Sequence, residues 1–270
     1  MSSHVSRGNH SINQDIRSLI SKRYRRITKA INSKFWDSTS ETAHSRYVGS
    51  YGRGTAINTS DLDVLMELPD SVFKLFSDRS GNGQSQLLQA VKSAVKDTYA
   101  TTDISGDGQV VVVNFSDNMK FEILPAFQNW DGTYNYPDSH MGGNWMTTNP
   151  MAEQEAMDEM DDYNHSNGLL KDTCKHIRFV KAESFKSYHL SGILIDSFVY
   201  ASIGYWHWLK DDEEKSSNND ICYEEVLLDC HNNNYPYASI ITPQLSAPGS
   251  GMEVVGDDWD VLGKVLKKMV

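Results

Sequence analysis

The sequence predicts an α+β protein, with a mixed sheet and flanking helices in its first half and a mainly helical second half. Two observations lead to this prediction. Before Pro150, short β-branched runs such as VVVVNF alternate with helical patterns; after Pro150, long helical patterns such as LLKDTCKHIRFVKAESF take over. We therefore expect a lobe at 11–150 and a helical lobe at 151–270, preceded by a disordered leader at 1–10.

The first lobe begins with a long helix from Ser11, because isoleucines and leucines recur at helical spacing between basic residues. A short strand is expected at Ser45–Val48 and a buried strand at Asp63–Leu68, which Pro69 ends. QSQLLQAVKSAVKDTY follows as an amphipathic helix. The runs VVVVNF and KFEIL, separated by SDNM, then predict a β-hairpin.

The second lobe follows a polar, aromatic and glycine-rich segment, FQNWDGTYNYPDSHMGGNWMTTNP, which we interpret as the passage between the lobes. SYHLSGILIDSFVYASIGYWHWL predicts an apolar helix, and DDEEKSSNND a solvated loop. DDWDVLGKVLKKMV predicts a short amphipathic helix at the end.

Composition narrows the classes of function. A formal net charge of −11 over 270 residues argues against a dedicated binder of long nucleic acids, which normally has a basic domain. It allows a small nucleotide that arrives with metal ions, because such ions need acidic ligands. No apolar leader or membrane span is present, so we expect a soluble cytoplasmic protein with no membrane partner.

The three cysteines do not form a disulfide framework. Cys222 and Cys230, with the adjacent His231, could contribute to a zinc site, but their spacing fits no standard ligand pattern. Ordinary structural or surface roles are therefore favoured for them.

The glycine cluster in GSYGRGTAINTSDLDVLMEL, residues 49–68, fits none of the familiar phosphate loops. A P-loop needs a lysine after its last glycine, and here Thr55 follows Gly54. A dinucleotide-binding fingerprint needs a third glycine where Ile57 stands. The protein-kinase motifs are absent as well. The cluster therefore needs another explanation.

The same stretch carries two carboxylates at the start of a buried strand. Asp61 and Asp63 are two residues apart, so they project from the same face. Paired carboxylates bind hard cations such as Mg²⁺, and a two-metal site usually needs a third acid from a neighbouring strand. Glu122, between Phe121 and Ile123, is the candidate. An isolated D-x-D is usually a turn or an exposed strand end, but this combination is far more specific.

These residues resemble the signature of the polymerase-β-like nucleotidyltransferases, G-S followed by D-x-D. More narrowly, the chain resembles the bacterial CD-NTases, relatives of cyclic GMP-AMP synthase and oligoadenylate synthase. KFEILPAF resembles the strand that carries the third acid in that family, and GGNWMTTNP its connector between lobes. HIRFVKAE and SYHLSGILIDSFVY resemble two of its helices. The resemblance implies a polymerase-β-like core and a helical lobe, with the active site in the cleft between them.

The resemblance also implies roles for individual residues. Asp61, Asp63 and Glu122 would be the catalytic acids and bind two Mg²⁺ ions, with Mn²⁺ as an alternative. The implied nucleotide-binding residues are Gly49, Ser50, Lys175, Arg178, Lys181, Ser191 and Tyr200. An aromatic residue in an apolar helix is more often part of the core, which is the competing interpretation for Tyr200. Arg53 would contact phosphate or form a salt bridge with an acid such as Glu67, and the sequence leaves both open.

The implied reaction joins NTPs, with ATP or GTP as first candidates, into a cyclic di- or trinucleotide or a short oligonucleotide. A separate effector would sense this second messenger in anti-phage defence, and a regulatory partner protein is possible. The alternative is another polymerase-β-like transferase, one that nucleotidylates a protein, a small molecule or an RNA end. A catalytically dead nucleotide sensor would need a broken acid set, and all three acids are present.

Overall fold

The computed structural model describes residues 4–57, 61–211, 213, 222–234, 245–254 and 258–270. The chain forms two compact units. The sheet unit combines Ile12–Gly52 with Thr59–Pro150, and the helical unit combines Met1–Ser11 and Arg53–Asn58 with Met151–Val270. The two short segments in the helical unit differ from the predicted lobe boundaries, because their contacts lie with residues far along the chain.

The sheet unit is built on a seven-stranded mixed sheet with the strand order β1-β2-β5-β4-β3, and β6 and β7 continue from β5. The strands are β1 Ser45–Tyr47, β2 Leu62–Glu67, β3 Asp103–Asp107, β4 Val110–Asn114, β5 Lys120–Gln128, β6 Tyr134–Asp138 and β7 Asn144–Thr148.

β5 lies in the middle of the sheet. It pairs with β4 in the antiparallel hairpin predicted from VVVVNF and KFEIL, with Val112 opposite Glu122. On its other side it runs parallel to β2. β5 is longer than predicted and continues through Pro125, which is tolerated because the pairing with β4 ends at Ile123.

The polar segment after Pro125 is not only a passage between lobes, as the sequence suggested. Its residues form the end of β5 and the strands β6 and β7, which pair antiparallel to each other. Tyr134 of β6 is fully buried. The segment is therefore part of the sheet unit, and its aromatic residues have a packing role that composition alone did not indicate.

Helices cover the sheet: α1 Gln14–Phe35, α3 Asp70–Ser77 and α4 Gly83–Thr98, with the one-turn α2 at Gly49–Gly52. The Asn13 side chain caps α1 by accepting a hydrogen bond from the Ile16 N–H. Ile27 and Ile31 of α1 are fully buried, as their helical spacing predicted.

The helical unit contains α5 Pro150–Asp161, α6 Leu169–Ser184, α7 Gly192–Ser202, α8 Tyr223–Asn234 and α9 Trp259–Met269. Its core is formed by apolar faces of these helices, including Ile177 of α6, Phe198 of α7 and Leu266 of α9. Within the described part of the chain, no helix is long and apolar enough to cross a bilayer. The predicted loop at 211–220 lies, apart from residues 211 and 213, outside the described residues.

The N-terminal segment was expected to be disordered, and residues 4–10 instead pack on the helical unit. The Val5 N–H donates to Glu224 at 2.7 Å, and the Gly8 N–H donates to Asp172 at 2.9 Å. The His10 ring stacks on Phe179 with centroids 4.1 Å apart. Carboxylates from distant parts of the chain satisfy these backbone donors, and the sequence could not reveal such partners.

Candidate active site

Two neighbouring strands bring the predicted acids together in the sheet unit. In the parallel pairing of β2 and β5, Asp63 lies directly opposite Glu122. Asp61 comes just before β2 and is more exposed than Glu122. The register therefore places two carboxylates side by side on adjacent strands, with the third at the point where the chain enters β2.

A lysine that the sequence analysis did not single out joins two of these acids. The Lys120 ammonium lies 2.9 Å from Asp61 Oδ2 and 2.7 Å from Glu122 Oε1. Partial burial lowers the pKa of Lys120, but its hydrogen bonds to Glu122 and Asp61 outweigh this and leave the pKa above its ordinary value. The ammonium therefore stays charged. Lys120 is two residues before Glu122 in β5, and this i, i+2 spacing was the available signal.

Gly49 is required by its position beside Asp63. Its φ is +58°, and a Cβ added there would lie 1.9 Å from Asp63 Oδ2. The Val48 N–H also donates to the Asp63 carbonyl at 2.9 Å, which holds the two stretches of chain together. Only a glycine at residue 49 leaves the Asp63 carboxylate in place, and this explains at least one glycine of the cluster.

The donor chemistry of the predicted acids suits a hard divalent cation. All three offer oxygen donors, which Mg²⁺ prefers. Lys120 already supplies a positive charge to two of them. Asp61 and Glu122 thus already hold one cation, the Lys120 ammonium, and their oxygen donors are of the kind that a metal-dependent transferase requires.

The predicted nucleotide-binding residues of the helical unit have different surroundings. Arg178 is 8% exposed, and its guanidinium donates to Asp196 Oδ1 at 2.7 Å and to the Gly192 carbonyl at 2.8 Å. These bonds favour a structural role for Arg178 over the predicted phosphate contact. Lys175 is partly exposed and lies 4.0 Å from Asp172. Lys181 is partly exposed and has no ion pair within the described residues.

Ser191 immediately precedes α7, and Tyr200 lies within it. Ser191 is at the N-cap position, and its backbone N–H donates to Asp258 at 3.1 Å. Tyr200 is partly buried against the core of the helical unit, which favours the packing interpretation.

Arg53 forms a salt bridge, but with acids other than Glu67. Its guanidinium lies 2.8 Å from Glu153 Oε2 and 2.9 Å from Asp196 Oδ2, and all three residues are buried. Burial raises the pKa of Asp196, but Arg178 and Arg53 outweigh it and hold the pKa below its ordinary value. Burial prevails at Glu153 and raises the pKa of that carboxyl. Asp196 thus accepts from two arginines, and the sequence had not indicated it.

The mixed sheet, the flanking helices and the acids on β2 and β5 define a nucleotidyltransferase of the polymerase-β-like class. The family model of the Second Messenger Oligonucleotide or Dinucleotide Synthetase domain matches residues 7–161, more than half of the chain. The chain therefore belongs to this family of synthetases, as the sequence motifs predicted.

Solved structures agree with this fold. The CdnE cyclic dinucleotide synthase of Elizabethkingia meningoseptica, solved with GTP and Apcpp, has a TM-score of 0.62 at 14% identity, covering 93% of this chain and 89% of that chain. The CD-NTase CdnG of Bradyrhizobium diazoefficiens, in complex with GTP, has a TM-score of 0.63 at 10% identity, covering 97% and 87%.

The CdnC:HORMA-deltaN complex of E. coli MS115-1 has a TM-score of 0.57 at 12% identity, covering 96% and 82%. No curated protein matches the sequence.

Proposed function

We propose that this protein joins NTPs without a template into a cyclic di- or trinucleotide, or a short oligonucleotide, that serves as a second messenger in anti-phage signalling. The observation that carries the proposal is the register of Asp63 opposite Glu122, with Asp61 joined to Glu122 through Lys120. A complete acid set in a member of this synthetase family supports catalysis rather than sensing alone.

Asp61, Asp63 and Glu122 would hold Mg²⁺, two ions in our proposal. Bound there, magnesium would neutralise charge on the triphosphate and make a ribose hydroxyl easier to deprotonate. Glu122 assists by accepting the hydroxyl proton. The ribose oxygen forms a bond to the α-phosphorus, and the bond from that phosphorus to the pyrophosphate oxygen breaks.

A second set of residues, outside the three acids, would bind the donor nucleotide. Gly49 and Ser50 approach the triphosphate, and Gly49 also leaves room for the Asp63 carboxylate. Lys175 and Lys181 are the proposed phosphate-binding cations of α6, because both are partly exposed. The network around Arg178 fixes α6 and α7 within the helical unit.

Substrates and partners follow as proposals from the similar proteins. ATP and GTP are the first nucleotides to test, because CdnE was solved with GTP and Apcpp and CdnG with GTP. CdnC forms a complex with a HORMA protein, so a regulatory partner of that kind is proposed here too. A separate effector would bind the product.

The test is incubation with labelled NTPs and Mg²⁺, followed by mass spectrometry of the products. We expect pyrophosphate and a cyclic or short linear oligonucleotide, and no product from the Asp61→Asn/Asp63→Asn variant. Asp103→Asn/Asp107→Asn is the matched control: it removes the same charge from exposed positions on β3 and should leave activity unchanged.

Two results would argue against the proposal. Full activity in the Asp61→Asn/Asp63→Asn variant would reject the acid assignment. Transfer of a single nucleotide to a protein, a small molecule or an RNA end, with no oligonucleotide formed, would favour the alternative transferase class. Because CdnC was solved in a complex with HORMA-deltaN, candidate activators belong in every assay.

A further inference from the structure

Three potential metal ligands meet in the helical unit, in the absence of any sequence motif. His4 lies near the N-terminus, and Cys222 and Glu224 lie at the start of α8. His4 Nδ1 is 3.4 Å from Glu224 Oε2, and Cys222 Sγ is 3.8 Å from His4 Nδ1 and 2.8 Å from Glu224 Oε2. The three ligand atoms therefore lie close enough together to contact a single ion.

These distances can be compared with those of a tetrahedral zinc site. Zinc bonds of about 2.3 Å to sulfur and about 2.1 Å to nitrogen and oxygen imply separations of roughly 3.4 Å for N···O and roughly 3.6 Å for S···N and S···O. The N···O and S···N separations match within about 0.2 Å. The S···O separation is shorter because the Cys222 thiol donates a hydrogen bond to Glu224. A metal ion that replaced this proton would lengthen it by roughly 0.8 Å.

The surroundings of Glu224 orient it for this role. Its side chain is only 6% exposed, and Oε1 accepts the hydrogen bond from the Val5 N–H at 2.7 Å. Oε2 is the oxygen that points at His4 and Cys222. In metal sites, a ligating carboxylate is commonly held in place by a hydrogen bond to its second oxygen. The Val5 N–H does this for Glu224.

Access and charge also suit a zinc ion. The His4 side chain is 59% exposed, which leaves an entry path and a fourth position for water. Cys222 immediately precedes α8 and is partly exposed, so a metal ion can reach its sulfur. Two anionic ligands would balance the charge of Zn²⁺.

We propose that His4 Nδ1, Cys222 Sγ and Glu224 Oε2 bind Zn²⁺, with water as the fourth ligand. The ion would attach the N-terminal segment to α8. On binding, the Cys222 S–H bond breaks, its proton passes to solvent and a Zn–S bond forms, with no change of oxidation state. This site differs from the one considered in the sequence, because His231 bonds instead to the Trp259 carbonyl at 3.0 Å and Cys230 is not part of the cluster.

The test uses the full chain with its purification tag at the C-terminus, because His4 is close to the other end. The protein is stripped with a chelator, reloaded with zinc in excess Mg²⁺, and desalted; bound zinc is measured by mass spectrometry. We expect ~1 zinc per chain, and a loss of affinity of ~100-fold or more in His4→Ala and Cys222→Ser. Cobalt substitution should give a thiolate-to-metal absorption band that Cys222→Ser removes.

Two controls keep the outcome clear. Cys230→Ser removes the other partly exposed cysteine and should retain zinc. The Asp61→Asn/Asp63→Asn variant removes the competing divalent site and should also retain it, so this test is independent of the proposed catalysis. His4 is exposed, and His4→Ala should fold even if Glu224→Gln does not.

Two results would overturn the proposal. One is that wild-type protein binds no zinc at micromolar concentrations, which would leave a hydrogen-bonded cluster without a metal. The other is that His4→Ala and Cys222→Ser bind zinc as tightly as Cys230→Ser, which would place the ion elsewhere.

Discussion

The substitution Gly49→Ala should damage the catalytic site while leaving the fold intact. The new Cβ would lie 1.9 Å from Asp63 Oδ2, and ordinary contact begins at 3.4 Å, so the carboxylate has to move by about 1.5 Å. A misplacement of ~1 Å can cost ~100-fold in rate, which corresponds to ~2.7 kcal/mol of transition-state stabilisation. We therefore expect kcat/KM to fall ~100-fold or more.

Gly81→Ala is the matched control for this prediction. Gly81 also has a positive φ, +80°, but a Cβ there has nothing within 4 Å. Both variants should lose ~1–2 kcal/mol of stability from backbone strain, measured by urea unfolding. Pyrophosphate release should fall only in Gly49→Ala. Equal activity of the two variants, after matching for folded protein, would refute the argument that the glycine makes room for Asp63.

Three further predictions concern charge. Lys120→Met removes the cation that contacts Asp61 and Glu122 and that would compete with Mg²⁺ for their oxygens. The Mg²⁺ concentration for half-maximal activity should therefore fall, and so should the dissociation constant for Mg²⁺ measured by calorimetry. ATP binding by the wild-type protein should weaken at least ~10-fold in EDTA, because the acids repel a triphosphate; undiminished affinity by calorimetry would contradict this. Asp196→Asn removes the negative charge that Arg53 and Arg178 share, so the free energy of unfolding in urea should fall by ~3–5 kcal/mol. A fall of less than ~1 kcal/mol would show that these ion pairs contribute little to stability.

Local patterns indicated the three candidate acids because each stands in a short-range sequence pattern. Asp61 and Asp63 stand at the start of an apolar run, and Glu122 stands in a strand with a clear β pattern. The structure adds the register, which pairs Asp63 with Glu122 across parallel strands. Parallel pairing joins residues far apart in sequence, and periodicity contains no information about which residues meet.

The partners of charged side chains were the least predictable part. Arg53 bonds to Glu153 and Asp196, which lie 100 and 143 residues away. Nothing local distinguishes these acids from Glu67, the acid suggested by proximity in sequence. Arg178 was predicted to contact phosphate because its helix resembles one in the family, but burial and two strong acceptors occupy it.

The distribution of charge at the acids explains how an acidic protein can use an anionic substrate. Within the described residues, Asp61 and Glu122 share one ammonium, that of Lys120, so these two carboxylates carry more negative charge than their ion pairs neutralise. Such a site repels a triphosphate by itself and attracts it only after cations have bound. The Lys120 ammonium meanwhile reduces the repulsion between Asp61 and Glu122, which it contacts at 2.9 and 2.7 Å. In the proposed mechanism a divalent ion competes with this ammonium for the carboxylate oxygens, so we expect Lys120 to set a threshold for metal binding.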